Sequence, residues 1–388
     1  MRETGRSLRI LLIGNFEPDK SESMQRFCEL LRAGLTESGD HVDVLKPQPV
    51  VARLWKKDGA LRKWLGYLDK YLLFPFHLMA RRRGYDVIHI CDHSNSMYTR
   101  YLGGYAHAVT CHDMMAVKSG LGLIPENPTG RTGQVLQRTI LNGLRRAQYI
   151  ICVSNKTKLD LLQLAGRNDA NTSSITLSLN YPYSPMPHDE AMERVKRLLP
   201  QPEIPFFIHV GSDSWYKNRP GVVEIFARIK SRPEGSGYKM VMAGKPFPSA
   251  LLALVIERGL QEEIVQLPGV SNEDLRALYS VSAGLIFPSL DEGFGWPVLE
   301  AQACGCQVFT SNRPPMNEIA GAAGIFFDPL DPDAASGIIL DGMKRRDEMV
   351  AQGFRNMERH TPAAFIAAHR ETYYKLTSGT QRAISELV

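Results

Sequence analysis

Short apolar runs alternate with helical periodicity along this 388-residue chain, and that alternation narrows the fold more than any other feature. The runs are Arg9–Ile13, His41–Leu45, Asp86–Ile90, Ala108–Cys111, Tyr149–Cys152 and Ser174–Leu177, then Phe206–Val210, Lys239–Ala243, Ile264–Leu267, Gly284–Phe287, Gln307–Thr310 and Gly324–Phe327. Helical patterns fall between them, among others Met24–Thr36, Val135–Ala147, Val222–Lys230 and Leu251–Gly259. Continuous apolar runs that take turns with helices predict parallel sheets buried under helices on both faces. The chain is long for one core. A break lies between the two series: Asn180–Pro187 is rich in Pro, Tyr and Ser, and Pro200–Pro205 holds three prolines around an expected helix at His188–Leu199. The expectation is an α/β protein of two doubly wound, Rossmann-like domains facing a cleft, residues 1–185 and 205–361, with 186–204 as linker region. Ligands of such sheets bind beyond the carboxyl ends of the strands.

Composition excludes several classes. Forty-six basic and 41 acidic residues give +5, far from the basicity of a nucleic-acid binder, so no nucleic-acid partner is expected. The six cysteines are Cys28, Cys91, Cys111, Cys152, Cys304 and Cys306. A single C-x-C pair does not make a zinc site, and scattered thiols fit a reduced, cytoplasmic protein. No secretory apolar segment precedes the first strand, and no apolar stretch reaches the roughly 18 residues of a membrane span.

The segment Glu292-Gly293-Phe294-Gly295-Trp296-Pro297-Val298-Leu299-Glu300 is the most telling for function. It follows the strand Gly284–Phe287 and leads into a helix with Pro297 in its first turn, a favoured place for proline. Gly293 and Gly295 let backbone approach a ligand, and the helix start offers N–H groups and a dipole to a phosphate. Glu292 and Glu300 flank that anion site and would accept hydrogen bonds from hydroxyls. A ligand with phosphates and sugar rings, a nucleotide-sugar, satisfies both. Glutamates also favour helix starts for the dipole alone.

Phe287 to Gly305 resembles the E-x7-E signature of retaining glycosyltransferases of family 4, which have the GT-B fold. The resemblance implies that Glu292 holds sugar hydroxyls near the anomeric carbon and Glu300 the ribose, with Gly293, Phe294, Gly295 and Val298 lining the donor. Val210-Gly211-Ser212-Asp213-Ser214-Trp215-Tyr216-Lys217-Asn218 resembles the family's V-G-x5-K-N element, whose lysine meets the donor phosphates. Lys217 at a helix start is electrostatically sensible if it faces an anion. Gly211 and Ser212 join the donor site, although Ser212 stands where many members carry arginine; Arg219 is a candidate replacement. The turn at Gly269–Val270 is implied to touch the nucleobase. Ser271 reads as an N-cap and Asn218 as another. Asp331-Pro332-Asp333 has a metal-binding spacing, but Asp333 reads better as a helix N-cap, so no metal and no cofactor are expected.

The first domain is implied to bind the acceptor, with the last helix, from about residue 362, crossing back onto it. Gly14 is retained of the family's glycine pair near the donor phosphate. His93 and His112 follow strands, where site residues occur, although lone histidines are often structural. Thr110-Cys111-His112-Asp113 resembles the T-x-H-D element, whose histidine sits beside the reacting sugar. His112, Glu292 and Lys217 are therefore the catalytic candidates, and His93 and Asp113 the acceptor-binding ones. Ser154 reads as a helix cap.

Residues 53–83 carry nine basic and two acidic residues, so this segment is +7 and the remainder −2. Leu61, Trp64, Leu65, Leu68 and Leu72 share one face at helical spacing, near Trp55, Tyr67 and Tyr71, and Pro75 ends or kinks the run. An anionic membrane surface and an ordinary packed helix with a solvated basic face both account for the pattern. The implied partners are a nucleoside-diphosphate sugar and a glycan or lipid-linked acceptor, in cell-surface polysaccharide or glycolipid synthesis. A non-catalytic nucleotide-sugar binder, or an epimerase or phosphorylase on the same fold, remain the alternatives.

Overall fold

A computed structural model describes residues 6–19, 22–54 and 59–385. The chain divides into two compact units, Met1–Asn180 with Pro362–Val388, and Tyr181–Thr361. Each is built on one six-stranded sheet in which every paired neighbour is parallel.

In the first unit the strands are β1 (Arg9–Ile13), β2 (His41–Leu45), β3 (Val87–Ile90), β4 (His107–Cys111), β5 (Tyr149–Cys152) and β6 (Thr172–Ser174), in the order β2-β1-β3-β4-β5-β6. β3 and β4 are buried along their whole length, including His89, His107 and Thr110, as strands covered on both faces are. The last strand departs from expectation. It covers Thr172–Ser174 rather than Ser174–Leu177, because it is the sheet edge. The Ile175 N–H still reaches Cys152 O at 2.8 Å, and Leu177 is buried outside the ladder.

The helix Pro362–Ser385 belongs to this unit and closes it. Arg370 grips the fully buried Asp40 carboxylate through Nε at 2.9 Å and an Nη at 3.3 Å, while the Leu8 N–H donates to the same carboxylate at 3.0 Å. Gly34, on the helix Glu22–Glu37, is required by this packing. A Cβ there would sit 2.4 Å from the Ile366 side chain.

In the second unit the strands are β7 (Phe206–Gly211), β8 (Lys239–Gly244), β9 (Ile264–Pro268), β10 (Gly284–Phe287), β11 (Val308–Ser311) and β12 (Gly324–Phe327). Their order is β12-β11-β10-β7-β8-β9. The core between sheet and helices is led by Phe207, Phe226, Ile286 and Phe309. The second unit also takes in the stretch 186–204, read above as a linker. Its helix His188–Leu198 buries Ala191 and Val195, and Arg194 meets Asp274 on the helix Asn272–Val281 at 3.2 Å.

Both sheets have a switch point where the chain changes direction of winding. It lies between β1 and β3 in the first unit, and between β7 and β10 in the second. In open parallel sheets ligands bind outside the carboxyl ends of the strands at such points.

Candidate functional site

The second unit's switch point carries the charged pair. β7 ends at Gly211, and the loop beyond it carries Lys217. β10 ends at Phe287, and the loop beyond it carries Glu292. Lys217 Nζ lies 2.6 Å from Glu292 Oε1, with both side chains nearly buried at 12% and 8% exposure. The Ser289 hydroxyl donates to the same oxygen at 3.0 Å. Lys217 Nζ also stands 4.9 Å from the centre of the Phe287 ring, a cation–π distance.

Local structure explains why Lys217 points there. Asn218 has a left-handed backbone (φ 49°), and its side-chain oxygen caps the helix Arg219–Lys230 through the Gly221 N–H at 3.2 Å. Its amide nitrogen donates to Pro288 O at 3.1 Å, which ties the Lys217 loop to the Glu292 loop. The Leu290 N–H adds a second tie to Tyr216 O at 2.7 Å.

The helix Trp296–Ala303 begins at Gly295, whose φ of 100° is a conformation that side-chain-bearing residues rarely adopt. Pro297 stands in its first turn, and no side chain of the Gly295 cap can answer its first N–H groups. Gly293 and Phe294 are buried within the loop, and Phe294 meets the Trp296 and His360 rings edge-on. Val298 is buried, its N–H bonded to Gly295 O at 3.0 Å. Glu300 lies further along the helix and is buried, accepting from the Tyr279 hydroxyl at 3.2 Å. Burial first, and then the Glu300 charge, push that phenol well above its usual range.

Gly211 pairs in register with Gly244 on β8, and Gly244 with Pro268 on β9, so Gly269 and Val270 leave the same sheet edge two strands from Lys217. Ser212 shares a hydrogen bond with Ser214 at 3.0 Å. Arg219 does not replace the cation absent at Ser212. It is buried against Asp213 at 3.4 Å, Lys245 O at 3.0 Å and the Phe247 ring at 4.7 Å. Beneath Gly211, His209 donates from Nδ1 to Ile286 O at 3.0 Å, and burial holds its pKa down to about 3.

Asp331, not Asp333, caps the helix Pro332–Gly342, accepting from the Ala334 N–H at 3.0 Å. Proline after the cap sets the first helical residue at 332, two earlier than the sequence pattern suggested. Asp333 then pairs with Arg228 at 3.2 Å. Among the described residues no group of three or more His, Cys, Asp or Glu side chains could hold a metal.

In the first unit the switch point is polar and buried. Asn15, after β1, donates to Asp92, after β3, at 2.5 Å. Asp92 also accepts from the Ser94 N–H at 2.8 Å and the Ser94 hydroxyl at 2.7 Å. Burial raises the Asp92 pKa, but His93, His112 and these donors together bring it below the usual value. The His112 N–H donates to His93 Nδ1 at 3.3 Å, and His112 Nε2 donates to Cys91 O at 2.8 Å. That leaves Nδ1 as the acceptor of His112. Burial lowers its pKa against the pull of Asp92, so it is a neutral imidazole suited to receive a hydroxyl's hydrogen bond. Asp113 is spent locally on the Met115 N–H at 2.9 Å. Gly14 bonds Leu45 O at 2.9 Å and has room for a Cβ, so nothing in its own packing demands glycine. Ser154 caps Asn155–Ala165 and Ser271 caps Asn272–Val281 through the N–H three residues on.

Sequence reasoning missed Asn15, Asp92, Tyr279 and Ser289. Asp92 directly precedes His93, and Ser289 stands three residues before Glu292; both spacings suit local hydrogen bonds. No signal marked Tyr279 or Asn15.

Comparisons with known proteins follow this division. Residues 192–355 match the model for glycosyl transferases group 1, and residues 24–175 that for Glycosyltransferase Family 4. O-antigen chain mannosyltransferase B of Escherichia coli is 26% identical over 54% of this chain and 55% of its own length. O-antigen chain mannosyltransferase RfbU of Salmonella typhimurium is 28% identical over 39% and 44%. The chain thus spans about half the length of these relatives, or less. Among solved structures, sucrose-phosphate synthase from Thermosynechococcus elongatus superposes with a TM-score of 0.73 at 18% identity, covering 96% of this chain and all of that one. WaaG, a glycosyltransferase involved in lipopolysaccharide biosynthesis, gives 0.65 at 14%, covering 94% and 99%. With one family model in each unit and two parallel six-stranded sheets of this topology, the chain belongs to the group 1, family 4 glycosyltransferases of GT-B fold.

Proposed function

We propose that this chain is a retaining glycosyltransferase that needs no metal and moves a hexose from a nucleoside-diphosphate sugar to a glycan or lipid-linked acceptor of a cell-surface polysaccharide or glycolipid. The observation that carries the reading is the Lys217–Glu292 pair beside the start of the helix Trp296–Ala303. A cation beside the positive end of a helix suits a diphosphate, and two buried glutamates suit the hydroxyls of sugar and ribose. The named relatives are O-antigen mannosyltransferases, which supports a surface polysaccharide and makes mannose the first donor sugar to try.

In the proposed reaction the bond from the anomeric carbon to the diphosphate oxygen breaks. The acceptor oxygen bonds to that carbon on the same face, and its proton passes to the departing phosphate. Lys217 and the helix start stabilise the charge that develops on the diphosphate. Glu292 holds sugar hydroxyls and Glu300 the ribose. His112, neutral and accepting, orients a hydroxyl, and His93 and Asp113 belong to the acceptor side of the first unit.

The test is a thermal-shift screen of UDP- and GDP-sugars, since only a bound donor raises stability, followed by donor-hydrolysis assay. One donor that stabilises the protein and is hydrolysed supports the reading. Stabilisation with no turnover of any donor, with or without acceptor glycans, would make the chain a nucleotide-sugar binder instead.

A further inference from the structure

The helical segment inside the basic stretch presents its apolar side outward. Helical turns run without a break over Ala60–Leu68, Asp69–Leu73 and Phe74–Arg81. Pro75 does not end the run. It has no N–H to return to Tyr71, and the turn at Asp69–Leu73 is the wider five-residue kind, with the Phe74 N–H on Asp69 O. Leu61, Trp64, Leu68, Leu72 and Phe76 lie three or four apart along it, and all are exposed, Trp64 at 59% and Phe76 at 63%. A helix packed on its apolar side would hide such residues, so the packed-helix reading fails for this stripe. Leu65 is half-buried on the inner side. Trp55, Lys56 and Lys57 lie outside the described residues.

Two further observations concern the residues that flank this stripe. The buried Asp69 carboxylate accepts from the Val51 and Ala52 N–H groups at 2.8 and 2.9 Å. This ties the turn Ala52–Leu54 to the helix and sets exposed Arg53 and Leu54 beside it. Tyr71 and Pro75, chain neighbours of Leu72 and Phe76, line a pocket of about 170 Å³ whose other walls include Arg100, Tyr101 and Arg146. Both arginines are exposed, as are Arg81 and Arg83 at the helix end. Lys70 and Arg82 are engaged within the protein, by Asp19 at 2.6 Å and by Tyr101 O.

We propose that this face docks the first unit onto an anionic lipid bilayer. The stripe of Leu61, Trp64, Leu68, Leu72 and Phe76 enters the interfacial layer, and the pocket with Arg100 and Arg146 receives a lipid phosphate. Tryptophan and leucine on one side of a helix, rimmed by arginine, is the chemistry of an interfacial helix. No helix among the described residues is long and apolar enough to cross a membrane, so the contact is peripheral. A second copy of the chain is a poorer occupant, because pairing two such faces sets arginines against arginines. The docking is independent of the donor chemistry proposed above.

The experiment is co-sedimentation of the full chain with phosphatidylcholine vesicles, with and without phosphatidylglycerol. Wild type should bind only the anionic vesicles and release as salt rises. Trp64→Ser with Leu68→Ser and Phe76→Ser should weaken binding about tenfold or more, as should Arg100→Glu with Arg146→Glu. The changed residues are on the surface, so unfolding midpoints and nucleoside-diphosphate affinity should stay as in wild type. The arginine variant serves alone if the apolar one fails to fold. Wild type that ignores anionic vesicles at low salt overturns the proposal. So does binding that neither variant weakens, or a dimer in solution that the apolar variant abolishes while vesicle binding is absent.

Discussion

Lys217 Nζ and Glu292 Oε1 stand 2.6 Å apart, so in the ligand-free protein the site's cation already has a carboxylate partner. A donor diphosphate must compete for Lys217. The two partners should therefore answer mutation in opposite ways. Lys217→Ala should lower nucleoside-diphosphate affinity by about 1.5–3 kcal/mol, the scale of a charged hydrogen bond. It should also destabilise the second unit by about 3 kcal/mol, since Glu292 stays buried without its cation. Glu292→Gln should leave nucleotide affinity equal or higher while turnover falls. Calorimetric titration with UDP or GDP and urea denaturation measure both. Unchanged binding in Lys217→Ala would remove the diphosphate from this site.

Metal removal should leave nucleotide binding intact. Asp331 is occupied by the Ala334 N–H and Asp333 by Arg228, so neither carboxylate awaits an ion. Titration in excess chelator should match titration in magnesium within error. A loss that magnesium or manganese restores would return Asp331 and Asp333 to the ligand set.

The pair Asp40–Arg370 should be the main electrostatic fastening of the last helix. Arg370→Ala leaves the Asp40 carboxylate fully buried and without its cation, with the Leu8 N–H still donating to it, a cost of about 3 kcal/mol. Asp40→Asn in the same background should recover part of that loss, because the uncompensated charge is gone. Urea midpoints of the single and double variants give the coupling directly.

Acid should weaken the fold before carboxylates titrate. Burial holds His369 at about 4 and His209 at about 3, against 6.5 for the exposed side chain. Below about 6.5 the unfolded chain takes up protons that the folded chain refuses, so stability falls with pH. Each histidine contributes about 1.4 kcal/mol per pH unit, down to its folded value. His369→Leu should lessen the slope between pH 6.5 and 4 by one proton. An unchanged slope in denaturation series across that range would mean that His369 is protonated in the native protein.

Much of this architecture was legible because burial writes itself into sequence. A strand buried on both faces is largely apolar, and β3, β4 and β10 are, with His89, His107 and Thr110 as buried polar exceptions. The Glu292–Glu300 junction was legible for a related reason, since glycine, proline and charge have few uses together at a strand end. What escaped depends on side-chain direction. Asp331 and Asp333 both sit at a helix start, and only the helix register decides which one caps. Arg219 reads as a site cation until the fold turns it onto Phe247. The stripe from Leu61 to Phe76 has the same spacing whether it faces a core or solvent, so its exposure could not be read from periodicity. Asn15 and Asp92 are 77 residues apart and meet only because β1 and β3 are neighbours.

The closing helix also sets an order of assembly during synthesis. Asp40 leaves the ribosome early, and its partner Arg370 follows 330 residues later. At about 5–20 residues per second the interval is roughly a quarter of a minute to a minute. The second unit, Tyr181–Thr361, is fully synthesised within that interval, before the first has its last helix. The nascent first unit therefore waits with Asp40 lacking its cation and with Gly34 not yet covered by Ile366. A chaperone that shelters early translation intermediates should be found on the first half of this chain, although that half is made first.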